Sequence, residues 1–235
     1  MPSDLLYLNF NPTGDLLKAT RECEQDVFLE AFGNTREQLT EEYGPYEDNS
    51  TYICVANEAG YVVGEVRIIW NGPAGLKTLN DIAGPPWSID GTRSLAAVGF
   101  TPNQMWDVGT LGVRKEHRAG GLVSLALYHG LITAQTVNDS ACTITIMDDK
   151  IATLLAMVDC VFNTIPGTTS QPYLGSPSST PLYADRAWDI EHQRKTNPEA
   201  YRLMCLGVGL DGISLPPRNS YILPAYTAVK ENEAA

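Results

Sequence analysis

The stretch WDVGTLGV-RKEHRAGG-LVSLALYHGLITAQTV, residues 106–137, decides the fold. Residues 106–113 are mostly apolar with β character, residues 114–121 form a basic loop, and residues 122–137 carry apolar side chains at helical spacing. A helix that begins directly after a loop points free N–H groups and its positive dipole end at that loop. Gly120 and Gly121 allow an anion to approach the backbone closely. The stretch therefore predicts a phosphate-binding turn between a strand and a helix whose buried face includes residues 122, 125, 126, 129, 132 and 133.

The overall charge limits the kind of partner. The chain has 235 residues, is 43% hydrophobic and carries a net charge of −12, which fits one sizeable domain with a real core. An acidic protein is a poor candidate for binding nucleic acid or an anionic membrane surface. The basic cluster at 114–118 is an exception to this balance, so it favours a small polyanion such as a coenzyme.

Cysteine usage indicates the compartment. The five cysteines, at 23, 54, 142, 160 and 205, are odd in number and widely spaced, which predicts free thiols in a reducing cytosol and no zinc site or other metal. The N-terminal residues have neither a basic segment nor the long apolar segment of a signal peptide. No window approaches the ~18 apolar residues of a membrane span. We therefore expect a cytoplasmic protein without a membrane span; the sequence does not indicate its oligomeric state.

The remaining elements follow from periodicity and punctuation. The pattern predicts a strand over 5–10, a helix over 16–32 that Gly33 ends, and a solvated acidic loop over 36–50. It then predicts a hairpin (51–56 and 61–70), a packed insert (71–105) with a short helix near 77–82, a strand (141–147) and a helix (150–160). Short strands and turns follow (162–184), and a last helix begins at Asn197. We divide the chain into a domain over 1–185, which includes the insert, and a helical extension with a polar tail over 186–235, packed on that domain.

The loop also resembles a known family. Arg118-Ala119-Gly120-Gly121 is similar to the pyrophosphate loop of the GNAT acyltransferase superfamily, R/Q-x-x-G-x-G/A, although Val123 stands at the last Gly/Ala position. The resemblance implies an α/β fold with a mixed, largely antiparallel twisted sheet flanked by helices. The long insert would then lie between the second hairpin strand and the central strand.

Three further stretches resemble one branch of that superfamily, the acyl-homoserine-lactone synthases and N-acyl amino acid synthases. They are EYGPYE (42–47), GEVRII (64–69) and WD (106–107), and the resemblance covers roughly residues 20–185. Glu24, Gly44 and Thr110 replace an Arg, an Asp and an Arg of the lactone synthases. Because those positions serve the methionine-derived donor, we do not expect this chain to make homoserine lactones. Ala156 occupies the position at which an ordinary GNAT enzyme has an acid-providing Tyr.

The resemblance assigns roles in donor binding and catalysis. Backbone N–H groups near Leu111, Gly112 and Val113 would polarise a thioester carbonyl. Asp107 is the leading base, Glu42 or Glu47 the second candidate, and a structural pair of Asp107 with Arg67 or Arg114 is the alternative. An aspartate is a base near pH 7 only if burial raises its pKa. The pyrophosphate would be held by Arg114, Arg118, Ala119, Gly120 and Gly121.

Arg67 and Trp106 are the candidate substrate-binding residues. Arg67 lies in line with Glu65 on a strand, so it either pairs with an acid of the 41–48 segment or binds a carboxylate of the acceptor. The expected function is transfer of an acyl group from acyl-CoA, or from an acyl carrier protein, to the amine of a small molecule such as an amino acid. The alternatives are an acetyl-CoA-dependent small-molecule N-acetyltransferase and a non-catalytic module that binds acyl-CoA.

Overall fold

A computed structural model describes residues 5–224 and 226; the end of the expected polar tail lies outside these residues. The described part holds nine strands and eight α-helices. The strands are β1 (Leu6–Phe10), β2 (Ser50–Asn57), β3 (Val62–Trp70), β4 (Met105–Val113), β5 (Cys142–Asp148), β6 (Asn163–Thr164), β7 (Gln171–Tyr173), β8 (Ser176–Asp185) and β9 (Ile213–Ser214). The helices are α1 (Gly14–Phe32), α2 (Arg36–Tyr43), α3 (Lys77–Ala83), α4 (Gly91–Ala96), α5 (Leu122–Val137), α6 (Asp149–Ala156), α7 (Arg186–Thr196) and α8 (Pro198–Met204).

All nine strands form one sheet, in the order β6-β8-β5-β4-β3-β2-β1-β9, with β7 paired to β8. Only the β4–β5 and β1–β9 pairs are parallel. Alternate residues of β2 face opposite layers: Ile53 and Val55 pack in the core under α5, while Cys54 and Ala56 pack against α1. The sheet is therefore mixed and largely antiparallel, it is flanked by helices on both faces, and the insert lies between β3 and β4, as predicted.

The sheet opens between its two central strands. Residues 105–107 of β4 pair with residues 142–144 of β5, and the pairing stops there. Strand β4 continues along β3 with one bulge. Arg67 pairs with Thr110 and Ile68 pairs with Val108, so Gly109 of β4 is the extra residue. Strand β5 continues along β8 to Asp148. Because β4 stays paired with β3 and β5 stays paired with β8, the two central strands separate, and a gap opens between them beyond Val108.

The acidic segment is helical, and the prediction of a solvated loop was wrong. Thr35 and Gln38 form a reciprocal capping box that starts α2, and a 3-10 turn over Gly44–Asn49 follows. The segment also buries Leu39, Tyr43 and Tyr46 against Ile69, which a solvated loop would not do. Composition hid this helix because its exposed face carries nearly all the charge.

Two facial assignments also differ from prediction. Helix α5 exists as predicted, but only Ala126 and His129 of the expected face are buried. The core face is carried by Val123, Ala126, Leu127, Leu131 and Ala134, so it is rotated from the expected one. Residues on most sides of this helix are apolar, so periodicity could not select a face. On β3 a register shift opposite Val55 and Ala56 places Val62 under α1 and Val63 under α5, the reverse of the simple alternation.

The insert and the C-terminal region are both packed parts of the structure. The insert residues Leu76, Ile82 and Leu95 form a core with Met105 and Ile144, as expected of a packed wall. After residue 185, α8 contributes Met204 to a core beneath α5, and β9 pairs with β1. None of the helices in the described residues is long and apolar enough to cross a membrane. The C-terminal region thus extends the sheet itself, in addition to supplying the expected helix at Asn197.

Candidate active site

The gap between β4 and β5 is an open cleft of about 150 Å³. Its walls come from both layers: Phe28 and Phe32 of α1 on one face, and Tyr128 of α5 on the other. Most lining side chains are apolar or aromatic, and no residue of the insert is among them. The apolar walls of the cleft are therefore built by α1, α6 and the β7–β8 turn, and not by the insert. The other lining residues are Tyr43, Val108, Gly109, Thr110, Leu111, Thr145, Ile146, Met147, Asp148, Ile151, Tyr173, Leu174, Ser176 and Ser179.

One edge of the cleft is unpaired backbone. The N–H of Arg114 donates to the carbonyl of Val63, so the alternate residues of β4, including Gly112, direct their backbone groups to β3. Leu111 and Val113 therefore turn theirs into the cleft, and the Val113 carbonyl accepts from Arg118 Nε at 2.7 Å. Of the three predicted backbone donors, Leu111 and Val113 point the right way, and Gly112 does not.

The turn predicted to bind phosphate lies between the end of β4 and the start of α5. Gly120 and Gly121 both have left-handed backbone conformations, with φ of 76° and 69°, and open space on their Cβ side. The first N–H groups of α5 have no partner within the helix. Ala119 lies in the same exposed turn. Acidic residues of α1 face the basic side chains: Asp26 lies 2.9 Å from Arg114 and Glu30 lies 3.2 Å from Arg118.

Asp107 lies in a smaller space, the inner chamber, of about 10 Å³. This chamber adjoins the cleft, because Tyr43, Val108, Gly109, Ile146 and Tyr173 line both. The Asp107 carboxylate is 1% exposed, and burial raises its pKa to about 7, against the lowering effect of hydrogen bonds from Thr78. It thus meets the condition for a base at neutral pH.

A buried lysine forms the floor of the inner chamber. Lys77 Nζ lies 2.7 Å from both Glu42 and Asp81, and 3.2 Å from the hydroxyl of Tyr173. Burial alone would lower the pKa of Lys77, but the two carboxylates raise it, so the ammonium stays charged. Glu42 is therefore engaged as an ion-pair partner. Tyr43 closes the opposite side, and its hydroxyl donates to the Gly109 carbonyl at 2.7 Å.

Arg67 is held by carboxylates of the protein. Its Nε and Nη2 donate to Glu24 at 2.9 and 2.8 Å, and its Nη1 donates to Glu47 at 2.9 Å. The guanidinium also lies over the rings of Tyr43 and Tyr52. Of the two alternatives for Arg67, the ion pair with the acidic segment is the one found. The structure gives no support for an acceptor carboxylate at Arg67, and Glu47 serves the same ion-pair cluster.

Trp106 lies in the core, away from the cleft. It is fully buried beneath α5, and its ring meets that of Tyr226 at 5.6 Å. The substrate contact expected for Trp106 is therefore not supported. Sequence reasoning missed Tyr43, Lys77, Asp81, Tyr128 and Tyr173. The capping box before Tyr43 was a usable signal, but Lys77 and Tyr173 meet across 96 residues, which no local pattern indicates.

Structural comparison places this architecture among known folds. A CoA-dependent acyl-homoserine lactone synthase, BjaI, solved with SAM and isopentyl-CoA, superposes with a TM-score of 0.62 at 15% identity, covering 97% of this chain and 99% of that one. FeeM, an N-acyl amino acid synthase from uncultured soil microbes, superposes with a TM-score of 0.60 at 13% identity, covering 80% and 93%. These neighbours are acyl-transferring enzymes.

Sequence comparison finds less. No protein-family model matches the chain, and no curated protein sequence matches it. At such low identity the structural likeness concerns the fold and assigns no role to any residue of this site. The fold is that of the GNAT-like acyltransferases, which confirms the resemblance seen in the sequence.

Proposed function

We propose that this protein transfers an acyl group from the thioester of acyl-CoA to the amine of a small molecule. The observation that carries the proposal is the open edge of β4, at Leu111 and Val113, which runs along an apolar cleft toward the turn at Gly120 and Gly121. An extended amide-bearing arm can pair with such an edge as an added strand. Its diphosphate would reach the first turn of α5, where free N–H groups favour an anion.

The cleft selects for more than an acetyl group. Phe28, Phe32, Ile151 and Leu174 add apolar surface beyond the backbone edge, and an acetyl group would leave this surface uncovered. Burying apolar area favours binding by about 25 cal/mol per Å². We therefore place acyl-CoA donors with longer chains ahead of acetyl-CoA. An acyl carrier protein would present the same arm and remains the alternative donor.

The chemistry needs one base and one oxyanion site. The neutral amine attacks the thioester carbonyl, whose oxygen gains charge and is stabilised by the Leu111 N–H. Asp107, directly or through one water, takes the proton released by the nitrogen. The C–N bond forms, the C–S bond breaks with its electron pair going to sulfur, and the thiolate takes a proton from solvent.

The acceptor enters from the side of the inner chamber. Both buried cations there are engaged, Lys77 with Glu42 and Asp81, and Arg67 with Glu24 and Glu47. A carboxylate on the acceptor would have to displace one of these acids. We therefore propose a simple small amine as the acceptor, ahead of an amino acid.

The test is release of free CoA thiol from a series of acyl-CoA donors in the presence of a panel of small amines. Wild-type protein should release thiol only when donor and amine are both present. Asp107→Asn keeps the shape of the side chain but removes the base, so the rate should fall by about 10²- to 10⁴-fold. CoA binding, measured by calorimetry, should be unchanged in this variant.

A different set of results would reject the proposal. If CoA binds but no donor and amine pair yields product, the chain is a non-catalytic acyl-CoA-binding module. If CoA does not bind and Arg118→Ala changes nothing, the donor is not a coenzyme thioester.

A further inference from the structure

A second cavity lies behind the cleft, on the α5 face of the sheet. This rear cavity has a volume of about 40 Å³. It continues the line of the cleft along the same two elements: Thr145 of β5 lines the cleft and Thr143, two residues earlier, lines the rear cavity. On α5, Tyr128 is followed one turn later by Ile132 and two turns later by Gln135, both in the rear cavity.

Most of the surface near Tyr128 in the rear cavity is apolar. Leu131, Ile132, Cys160, Phe162 and Met204 line it, and polar side chains such as Arg186 and Asp189 also contribute to its walls. Gln135 and Thr143 are hydrogen-bonded to each other at 2.8 Å, so they present little unmet polarity. An apolar cavity of this kind favours a hydrocarbon over water.

Tyr128 is the one residue that lines both spaces. Its ring stands between them, and it packs with Leu155 and Met204 beneath α5. Within residues 5–224 and 226 its hydroxyl has no hydrogen-bond partner, whereas the hydroxyls of Tyr43 and Tyr173 are bound to Gly109 and Asp81. Because Tyr128 is only partly buried, water or a polar group of a ligand can supply this partner.

We propose that Tyr128 sets the upper limit of acyl-chain length, because its ring closes the rear cavity to the distal end of the chain. This inference rests on the proposed function and adds the residue that selects among donors. The chain runs from the thioester at the β4 edge between the two central strands toward α5. It ends against the Tyr128 ring.

The test compares kcat/KM for straight-chain acyl-CoA donors, from butyryl to hexadecanoyl, between wild type and Tyr128→Ala. Opening the rear cavity should move the optimum to longer chains, with a gain of about fourfold for each methylene group that newly enters it. Tyr128→Phe keeps the ring and removes the hydroxyl, so its optimum should stay at the wild-type length, whatever its absolute rate.

A filling variant provides the matched control. Ile132→Phe places bulk in the rear cavity and leaves the cleft alone, so it should not move the optimum in the wild-type background. Combined with Tyr128→Ala, it should cancel most of the gain for long chains. Should Tyr128→Ala fail to fold, as judged by thermal unfolding, Tyr128→Leu opens a smaller passage with a residue that favours helix.

The outcomes separate this inference from the proposed function. If wild type transfers acyl groups and folded Tyr128→Ala or Tyr128→Leu keeps its length optimum, the role of Tyr128 is rejected and the function stands. If Tyr128→Phe moves the optimum as far as Tyr128→Ala, the hydroxyl and not the ring selects the chain. If wild type transfers no acyl group from any donor, both proposals fail.

Discussion

Thr78 holds Asp107 with two hydrogen bonds, from its backbone N–H to Oδ2 at 2.6 Å and from its hydroxyl to Oδ1 at 2.8 Å. Both bonds favour the ionised carboxylate and lower its pKa, while burial raises the pKa, with about 7 as the result. In the proposed reaction the insert therefore tunes the base from the start of α3, although it does not line the cleft.

Removing the Thr78 hydroxyl should move the pH dependence of the reaction. The base must be ionised to act, so the wild-type rate should rise with pH and reach half its maximum near pH 7. Thr78→Val deletes one bond that lowers the pKa of Asp107, so the half-point should move to higher pH. The pH profile of kcat/KM measures this shift.

Thr78→Ser is the matched control, because it keeps the hydroxyl and should keep the wild-type profile. An unchanged half-point in Thr78→Val would mean that Asp107 is not the titrating base.

Substitution of glutamate by glutamine should change the free energy of unfolding in opposite directions at two buried positions, Glu24 and Glu65. Thr110 Oγ1 lies 2.7 Å from Glu24 and 3.1 Å from Glu65, but a hydroxyl has one proton to donate. Glu24 also receives Arg67, whereas Glu65 is fully buried, and burial raises its pKa well above the ordinary value. We infer that Glu65 is a neutral acid that donates to Thr110.

The neutral acid makes stability depend on pH. Unfolded Glu65 ionises above a pKa of about 4.3, but the folded protein holds the proton, so its contribution to stability falls as pH rises through the neutral range. Glu65→Gln should therefore raise the free energy of unfolding by about 1–3 kcal/mol at pH 7 to 8, with a smaller gain at pH 4.

Glu24→Gln should destabilise, because it strips Arg67 of its main partner; about 3–5 kcal/mol is expected for breaking a buried pair. Urea unfolding at several pH values measures both variants. Equal destabilisation by the two would show that Glu65 is ionised in the folded protein.

A methyl group at Gly109 should disturb the wall between cleft and inner chamber. A Cβ there would lie 2.8 Å from Tyr43 Cε1, so the Tyr43 ring would have to move from the bulge that its hydroxyl contacts. Gly109→Ala should lower stability by about 1–3 kcal/mol and reduce kcat/KM, with the donor still bound. Gly44→Ala, at a site with open space and helical φ of −51°, should change neither quantity.

Glu30, the acidic side chain beside the turn proposed to bind phosphate, should weaken donor binding in the wild-type protein. Glu30 lies 3.2 Å from Arg118 and 3.7 Å from Lys115, where a diphosphate would compete with it. Glu30→Gln should tighten CoA binding by about two- to fivefold at low salt and less at high salt, as expected for exposed charges. Calorimetry at two salt concentrations measures this.

Glu22→Gln, two turns earlier on α1, removes the same charge away from the turn and should leave the Kd unchanged. Equal effects of both substitutions would indicate net charge rather than the local contact.

Local patterns predicted the elements that depend on neighbours in sequence. The loop before α5, the helix ended by Gly33 and the hairpin at β2 and β3 each have their signal within a few residues. Alternation along a strand is also a local property. Along β4 it places Trp106 and Asp107 on opposite faces and sends Trp106 under α5, so the substrate contact predicted for Trp106 is not found.

Contacts between distant segments could not be predicted. For Arg67 the sequence left two alternatives open, an acid of the 41–48 segment and a carboxylate of the acceptor. Only the packing of α1 over β3 brings Glu24 to it. Lys77 was read as part of an ordinary short helix, because its partners lie on α2 and β7. Tyr128 sits on an apolar stretch of α5, and its place between two cavities depends on where β5 leaves β4.

Because three residue pairs join β4 to β5, the sheet consists of two parts, here called leaves, that are weakly joined along its centre. One leaf holds β1 to β4 with β9, and the other holds β5 to β8. A donor seated between the leaves supplies partners for the free backbone of Leu111 and for the N–H of Val113, so it takes the place of a missing strand. Amide hydrogen exchange at these two residues should therefore slow when CoA is bound. The two leaves should be held together most firmly while the donor is bound, and this support should be lost once the donor has reacted and left.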